Sequence, residues 1–262
     1  MVDVSQSSLS PNLWLYTNFD CNLSCPYCVT RSTPTAPRLA LGLNNVLRVV
    51  DEAVALGFHD LFFTGGEPFM LDELYEMLAY ASARVRTTVL TNAVLLRGRR
   101  LDRLSSIANG NLRVQVSLDG SRPEEHDPYR GEGTWARTVT GIEALLTRGV
   151  QVCIGTTETP ANTAHIDELH RFRRSLGIPD ENHLVRPLAK RGFSSEGLEL
   201  GRDNLEPEMT VTAEGIYWHP LTFPGDVDLL VREEIFPLVE AVESIKRELQ
   251  QGGARTPRTE FT

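Results

Sequence analysis

Asn12-Leu-Trp-Leu-Tyr-Thr-Asn-Phe-Asp-Cys21-Asn-Leu-Ser-Cys25-Pro-Tyr-Cys28 sets a short apolar, β-prone run directly ahead of three closely spaced cysteines. Asn12 to Thr17 reads as a strand, which leaves the C-x3-C-x2-C triplet on a loop at that strand's C-terminal end. Asp20, Asn22 and Ser24 make the loop polar, so a packed trio of thiols is a poor fit. Three thiolates can ligate three irons of a cubane, leaving the fourth iron open to a small molecule with an amine and a carboxylate. Zinc is the other occupant to weigh. A structural zinc takes four ligands, and the nearest histidine is His59, so zinc would have to recruit Cys153 or a histidine from elsewhere in the chain.

Outward from this loop, β-prone runs alternate with segments of helical period. Asn44 to Leu56 carries Val46, Leu47, Val50, Ala53, Val54 and Leu56 on a stripe and stops at Gly57. His59 to Thr64, Arg86 to Thr91, Leu112 to Leu118, Val150 to Thr156 and His183 to Pro187 read as further strands. Leu71 to Ala83, Arg99 to Ala108, Thr134 to Arg148 and Ile166 to Leu176 read as helices. Six βα-type repeats imply parallel strands joined by right-handed crossovers. They suit an open doubly wound sheet or a curved partial barrel, and in both the active site gathers at the C-terminal ends of the strands.

After Pro187 the alternation stops. Lys190 to Pro207 reads as loop, Met209 to Thr212 and Ile216 to Trp218 as a small hairpin, and Glu233 to Leu249 as a helix. Gln250 to Thr262 has no apolar period and is expected to be a mobile tail. The expected division is a core over 1–190, an extension over 191–249 and a tail over 250–262.

Polar motifs follow the strands. The second strand ends in Thr64-Gly65-Gly66-Glu67-Pro68, where paired glycines let backbone approach a ligand and Glu67 can anchor either the turn or a ligand amine. The third ends in Thr91-Asn92 and the fourth in Ser117-Leu118-Asp119-Gly120; Asn and Asp at such places also cap helices and shape turns. His126-Asp127-Pro-Tyr129-Arg130-Gly131 reads as a loop before the fourth helix, tied down by His126 and Asp127 or facing substrate. Cys153, within a strand, reads as a buried structural thiol. Glu158 and Asn162 follow the fifth strand, and Arg186 and Lys190 end the sixth. Arg186 can grip a carboxylate bidentately or pair with an acid across the barrel mouth.

The cysteine triplet together with Gly65-Gly66-Glu67-Pro68 resembles the radical S-adenosylmethionine (SAM) superfamily, over about Leu13 to Arg191. The His126-Asp127 to Arg130-Gly131 stretch resembles its MoaA and SPASM-type subgroup. The resemblance implies an α/β fold with a partial (β/α)6 barrel, one [4Fe-4S] cluster on Cys21, Cys25 and Cys28, and SAM, either consumed or regenerated. It implies SAM contacts from Thr64, Gly65, Gly66, Glu67, Pro68, Thr91, Asn92, Ser117 and Asp119. It also implies a flavodoxin- or ferredoxin-like electron donor, and hydrogen abstraction from a substrate such as a peptide or a cofactor precursor. The stretch Leu205 to Pro220 resembles the SPASM or twitch extension, which holds auxiliary clusters through cysteines. Here Tyr217, Trp218 and His219 stand in their place and no cysteine follows Cys153, so no auxiliary cluster is expected.

Bulk properties set the outer limits. In 262 residues, 41% hydrophobic and 23% charged side chains fit a folded domain and argue against disorder. A net charge of −9 repels a phosphate backbone, so no nucleic-acid partner is expected. No apolar run is long enough for a bilayer, and Met1 to Asn12 has no basic segment leading into an apolar one. A cytoplasmic protein without a membrane partner is the expectation.

Overall fold

The computed structural model of the chain describes residue 4 and residues 9–251. Of the expected tail, residues 252–262 lie outside the described residues, while Gln250 and Gln251 close the last helix. The first part runs β1 (Asn12–Tyr16), α1 (Leu43–Ala55), β2 (Asp60–Thr64), α2 (Leu74–Ser82), β3 (Arg86–Thr91), α3 (Arg99–Ile107), β4 (Leu112–Ser117), α4 (Pro123–Arg130) and α5 (Thr134–Thr147). It continues through β5 (Gln151–Glu158), α6 (Ile166–Ser175), β6 (His183–Pro187), β7 (Thr210–Thr212), β8 (Gly215–Tyr217), β9 (Leu230–Arg232) and α7 (Leu238–Gln251).

One sheet carries the order β6-β5-β4-β3-β2-β1-β7-β8-β9. Strands β1 to β6 are parallel throughout. Residues 13–16 of β1 are all buried, as a strand covered on both faces must be. The helices cover the outer face through apolar stripes; in α1 it is Val46, Val49, Val50 and Ala53 that are buried. The expected stripe is rotated slightly, with Val49 inside and Val54 left exposed. Side chains from the C-terminal ends of all six parallel strands line one cavity, and Arg186 of β6 feels the Tyr16 hydroxyl of β1 electrostatically. The sheet is therefore the curved partial barrel rather than the flat alternative.

Three features depart from the sequence reading. His126 to Arg130 is the end of helix α4, not a loop. Pro123 opens that helix, where a missing N–H costs nothing, with Glu124 and Glu125 in the favourable first turn. Pro128 inside so short a helix removes only one internal bond, so its breaker character is misleading. The hairpin β7–β8 forms as expected, but β7 also joins β1 in parallel, Trp14 against Thr210, and β9 adds a further antiparallel strand. Helix α7 starts at Leu238 rather than Glu233, because Pro237 holds Phe236 out of helical conformation. The Leu238 N–H then finds its acceptor in Glu52 of α1 at 2.7 Å.

Candidate active site

The floor of the cavity is set by how the β1 loop meets the β2 loop. Pairing continues past both strands: Thr17 N–H donates to the Thr64 carbonyl at 2.8 Å, Gly66 N–H to Asn18 at 2.9 Å, and Glu67 N–H to Asp20 at 3.0 Å. A side chain on Gly65 would overlap the Asn18 carbonyl, and one on Gly66 the Asp20 carbonyl. The paired glycines are thus required by the root of the cysteine loop as well as by their place in the cavity wall. Asn18 Nδ2 stitches the same corner to the Asp20 and Glu67 carbonyls, and Arg38 donates twice to Asp20 Oδ2.

Cys21, Cys25 and Cys28 are free thiols and all line this cavity, beside Thr64, Gly65 and Gly66. Burial pushes the Cys21 thiol up to about 12 and Cys25 up to about 11; Glu67 adds to the first, and Arg130 partly offsets the second. Thiols so strongly protonated are poor nucleophiles; a metal that displaces the proton suits them. Backbone N–H groups of Leu23 and Ser32 point at Cys21 Sγ and Cys28 Sγ, each at 3.4 Å, as donors do around cluster thiolates. Among the described residues no group of three His, Cys, Asp or Glu side chains could hold a single metal ion. The donor set fits a cubane, which spreads its ligands over separate irons.

Thr91, Asn92 and Ser117 line the same cavity, at the ends of β3 and β4. Glu67 does not: its carboxylate turns inward and accepts from Thr91 Oγ1 at 2.8 Å, Asn92 N at 2.9 Å and Phe69 N at 3.1 Å. Burial pushes this carboxyl up to about 7 against those three donors. Of its two expected roles, Glu67 fills that of turn anchor, and Pro68 is buried behind it. Asn92 Nδ2 reaches Asn22 between the cysteines at 2.9 Å, fastening the loop to β3.

Asp119 is also turned away from the cavity. Its Oδ2 accepts from Tyr27 Oη and Arg130 Nε, both at 2.5 Å, and its Oδ1 from Thr157 N at 2.9 Å. Burial opposes its charge, but Arg130, His126 and Tyr27 hold the carboxyl below the usual carboxylate range. His126 Nδ1 accepts from Asp119 N, Asp127 caps the start of α5 through Gly133 and Trp135 N–H groups, and Asn162 Nδ2 donates to the Asp119 and Thr157 carbonyls. These side chains brace the wall. Arg130 and Tyr27 are the residues whose joint role the sequence hides, because Tyr27 reads only as a spacer between cysteines.

Further lining comes from β1, from β6 and the residues after it, and from the extension, including Trp14, Tyr16, Arg186, Leu188, Pro220 and Leu221. Tyr16 Oη donates to the Pro220 carbonyl. Glu158 lies in a shallower groove that shares Pro187 and Leu188 with this cavity, Lys190 pairs with Glu199 on the surface at 2.5 Å, and Cys153 is half-buried within β5. The extension also reaches the cluster loop from behind. Phe193 N–H donates to the Cys28 carbonyl at 3.0 Å, and any side chain on Gly192 would overlap the Cys28 and Val29 carbonyls. Arg191 locks that segment down through Asp226, the Leu221 carbonyl at 3.1 Å and Asp228 at 2.8 Å.

Comparison with known proteins agrees with this geometry. The AdoMet-dependent heme synthase of Methanosarcina barkeri is 33% identical over 60% of this chain and 45% of its own length. The mycofactocin maturase MftC of Mycolicibacterium smegmatis is 30% identical over 64% of this chain and 43% of its own length. The chain thus spans less than half the length of these relatives. Streptococcus suis SuiB bound to precursor peptide SuiA shares the fold with a TM-score of 0.62 at 20% identity, over 71% of this chain and 42% of SuiB. Among the described residues no helix is long and apolar enough to cross a membrane. The sequence profile of the radical SAM superfamily, whose members use a [4Fe-4S] cluster and SAM, matches residues 15–172, and the chain belongs to that superfamily.

Proposed function

We propose that Cys21, Cys25 and Cys28 hold one [4Fe-4S] cluster and that the chain binds SAM beside it, as a radical enzyme acting on a peptide or a cofactor precursor. The observation that carries this reading is that the three thiols and the Gly65-Gly66 backbone line one cavity at the strand ends. When bound, the cluster supplies the electron that cleaves a C–S bond of SAM, releasing a 5′-deoxyadenosyl radical that takes hydrogen from the substrate. The chain's own residues position and shield. Thr64, Gly65 and Gly66 offer backbone and hydroxyl groups to the methionine end, and Thr91, Asn92 and Ser117 offer hydroxyl and amide groups to its carboxylate or the ribose. Glu67, Pro68 and Asp119 act one layer back, by holding those walls in place.

The substrate leaning is supported by the names of the relatives, a maturase, a heme synthase and an enzyme seen with its precursor peptide. Residues 1–190 would form the catalytic core and 191–249 its cysteine-free extension, served by a flavodoxin or ferredoxin in the cytoplasm. A net charge of −9 supports a partner other than nucleic acid. The test is anaerobic: reconstitute with iron and sulfide, add SAM and dithionite, and measure 5′-deoxyadenosine by mass spectrometry. Its formation is the expected result. Colourless protein carrying zinc would overturn the reading, and product formed with small metabolites but never with peptides would remove the peptide leaning.

A further inference from the structure

Arg186 stands in the cavity apart from the cysteine loop, the paired glycines and the braced wall around Asp119. It sits near the C-terminal end of β6 and lines the cavity. Among the described residues its guanidinium joins no ion pair and donates no hydrogen bond, and its Nε is buried without a partner. A guanidinium without an acceptor is costly to enclose, and its terminal nitrogens, which unlike Nε are not closed off, are the donors that a ligand in the cavity would meet. The second arginine of the cavity, Arg130, differs: both its Nε and a terminal nitrogen are committed to Asp119.

The groups whose charge Arg186 feels have partners of their own. Glu208 accepts from Trp14 Nε1 at 2.5 Å and from Asn12 Nδ2 at 3.3 Å. Tyr16 donates to Pro220, and burial keeps its hydroxyl protonated. His219 accepts from Leu221 N at 3.1 Å and is pushed down to about 3 by burial, with Arg186 and Arg191 adding to the shift, so it is neutral. Trp14, Leu188 and Leu221 add apolar lining to the same cavity. Glu208 offsets part of the positive charge from a distance without accepting a hydrogen bond from it, and the planar fork of donors left open matches a single planar monoanion.

We infer that Arg186 is a specificity-determining residue that receives a carboxylate of the substrate. The inference rests on the radical SAM reading, in which the SAM carboxylate is held at the cluster side and so leaves Arg186 to the substrate. A substrate lacking a carboxylate at this point would leave the guanidinium unpaired and be rejected.

The probe pair is N-acetylglycine and N-acetylglycinamide, added to anaerobically reconstituted, 15N-arginine-labelled protein saturated with SAM. The Arg186 Nε–H signal, assigned by its loss in Arg186→Lys, is expected to shift with the acid and to stay in place with the amide. In Arg186→Gln, binding of the acid is expected to weaken by about tenfold or more, with partial recovery in Arg186→Lys. SAM and decarboxylated SAM are expected to bind both variants as they bind the wild type. No shift with the acid, or equal shifts with acid and amide, would overturn the inference, and the wild-type shift can be read even if Arg186→Gln fails to fold. Loss of SAM affinity with retained affinity for decarboxylated SAM would assign the guanidinium to the cosubstrate and overturn it as well. Failure of the wild type to cleave SAM is a separate measurement and would sink the preceding reading whatever the acid and amide show.

Discussion

Glu67 shows how a single side chain can hold a site together without touching its ligand. Its two oxygens satisfy three donors, two at the end of β3 and one in the turn after β2, and two of the three are backbone N–H groups. Glu67→Ala orphans those donors and is expected to lower stability by about 2–4 kcal/mol, read by urea unfolding of the reduced, cluster-free protein. Glu67→Gln, which keeps one acceptor oxygen, is expected to fall between. Unchanged stability with weakened SAM binding would return the carboxylate to the ligand. Cys25 has the opposite character: it lies on the loop, outside the hydrophobic core. Cys25→Ala is expected to abolish 5′-deoxyadenosine formation while leaving the far-ultraviolet circular dichroism spectrum intact; normal turnover in that variant would contradict the cluster assignment.

The β1 and β2 loops act as one element, and Gly66 is where it can be tested. Gly66→Ala forces a methyl group against the Asp20 carbonyl, so the two loops must part. The expected outcome is a several-fold loss of bound iron with secondary structure unchanged; full iron loading would show that the close approach is dispensable. The strands that carry these loops were legible because each pairs a β-prone run with a polar break, and β3 and β6 match their expected bounds. Helix α4 was hidden by its two prolines, one harmless at the start and one tolerated because the helix is so short. The parallel contact of β7 with β1 was hidden for another reason, since no local pattern encodes a pairing between residues so far apart. The positions of Gly65, Gly66, Thr91, Asn92 and Ser117 at the cavity could be read from strand ends, but the inward turn of Glu67 and Asp119 could not. Both faces of such a turn carry polar residues, and only packing decides which acid meets water.

Across the whole molecule, three histidines set the response to acid. Burial, as the largest cause, holds His126 and His183 down at about 4 and His219 at about 3 in the folded state. A folded value below the unfolded one gives stability that is present above about pH 6.5 and lost as pH falls toward the folded value. For the fully buried His126 and His219 this amounts to about 3 kcal/mol each by pH 4, comparable with much of a domain's total stability. Glu67, pushed up to about 7 by burial, works the other way, weakening the fold as pH rises from about 4.5 to about 7. The histidine losses outweigh it, so the urea midpoint of the cluster-free protein is expected to fall between pH 6.5 and 4, and His219→Gln to flatten that slope. A midpoint independent of pH over this range would count against the burial of these imidazoles.

The ladder between β1 and β7 also has a consequence in time. Asn12 and Glu208, side chains joined across that seam, are 196 positions apart in the chain. During synthesis at roughly 5–20 residues per second, the first strand waits on the order of 10–40 s for its last neighbour to leave the ribosome. Through that interval the cysteine loop has emerged but lacks its cover from Gly192, Phe193 and the hairpin. Closure of the seam is therefore a late event, and the loop that carries the three thiols meets the backbone of Phe193 only after about 165 further residues have been made.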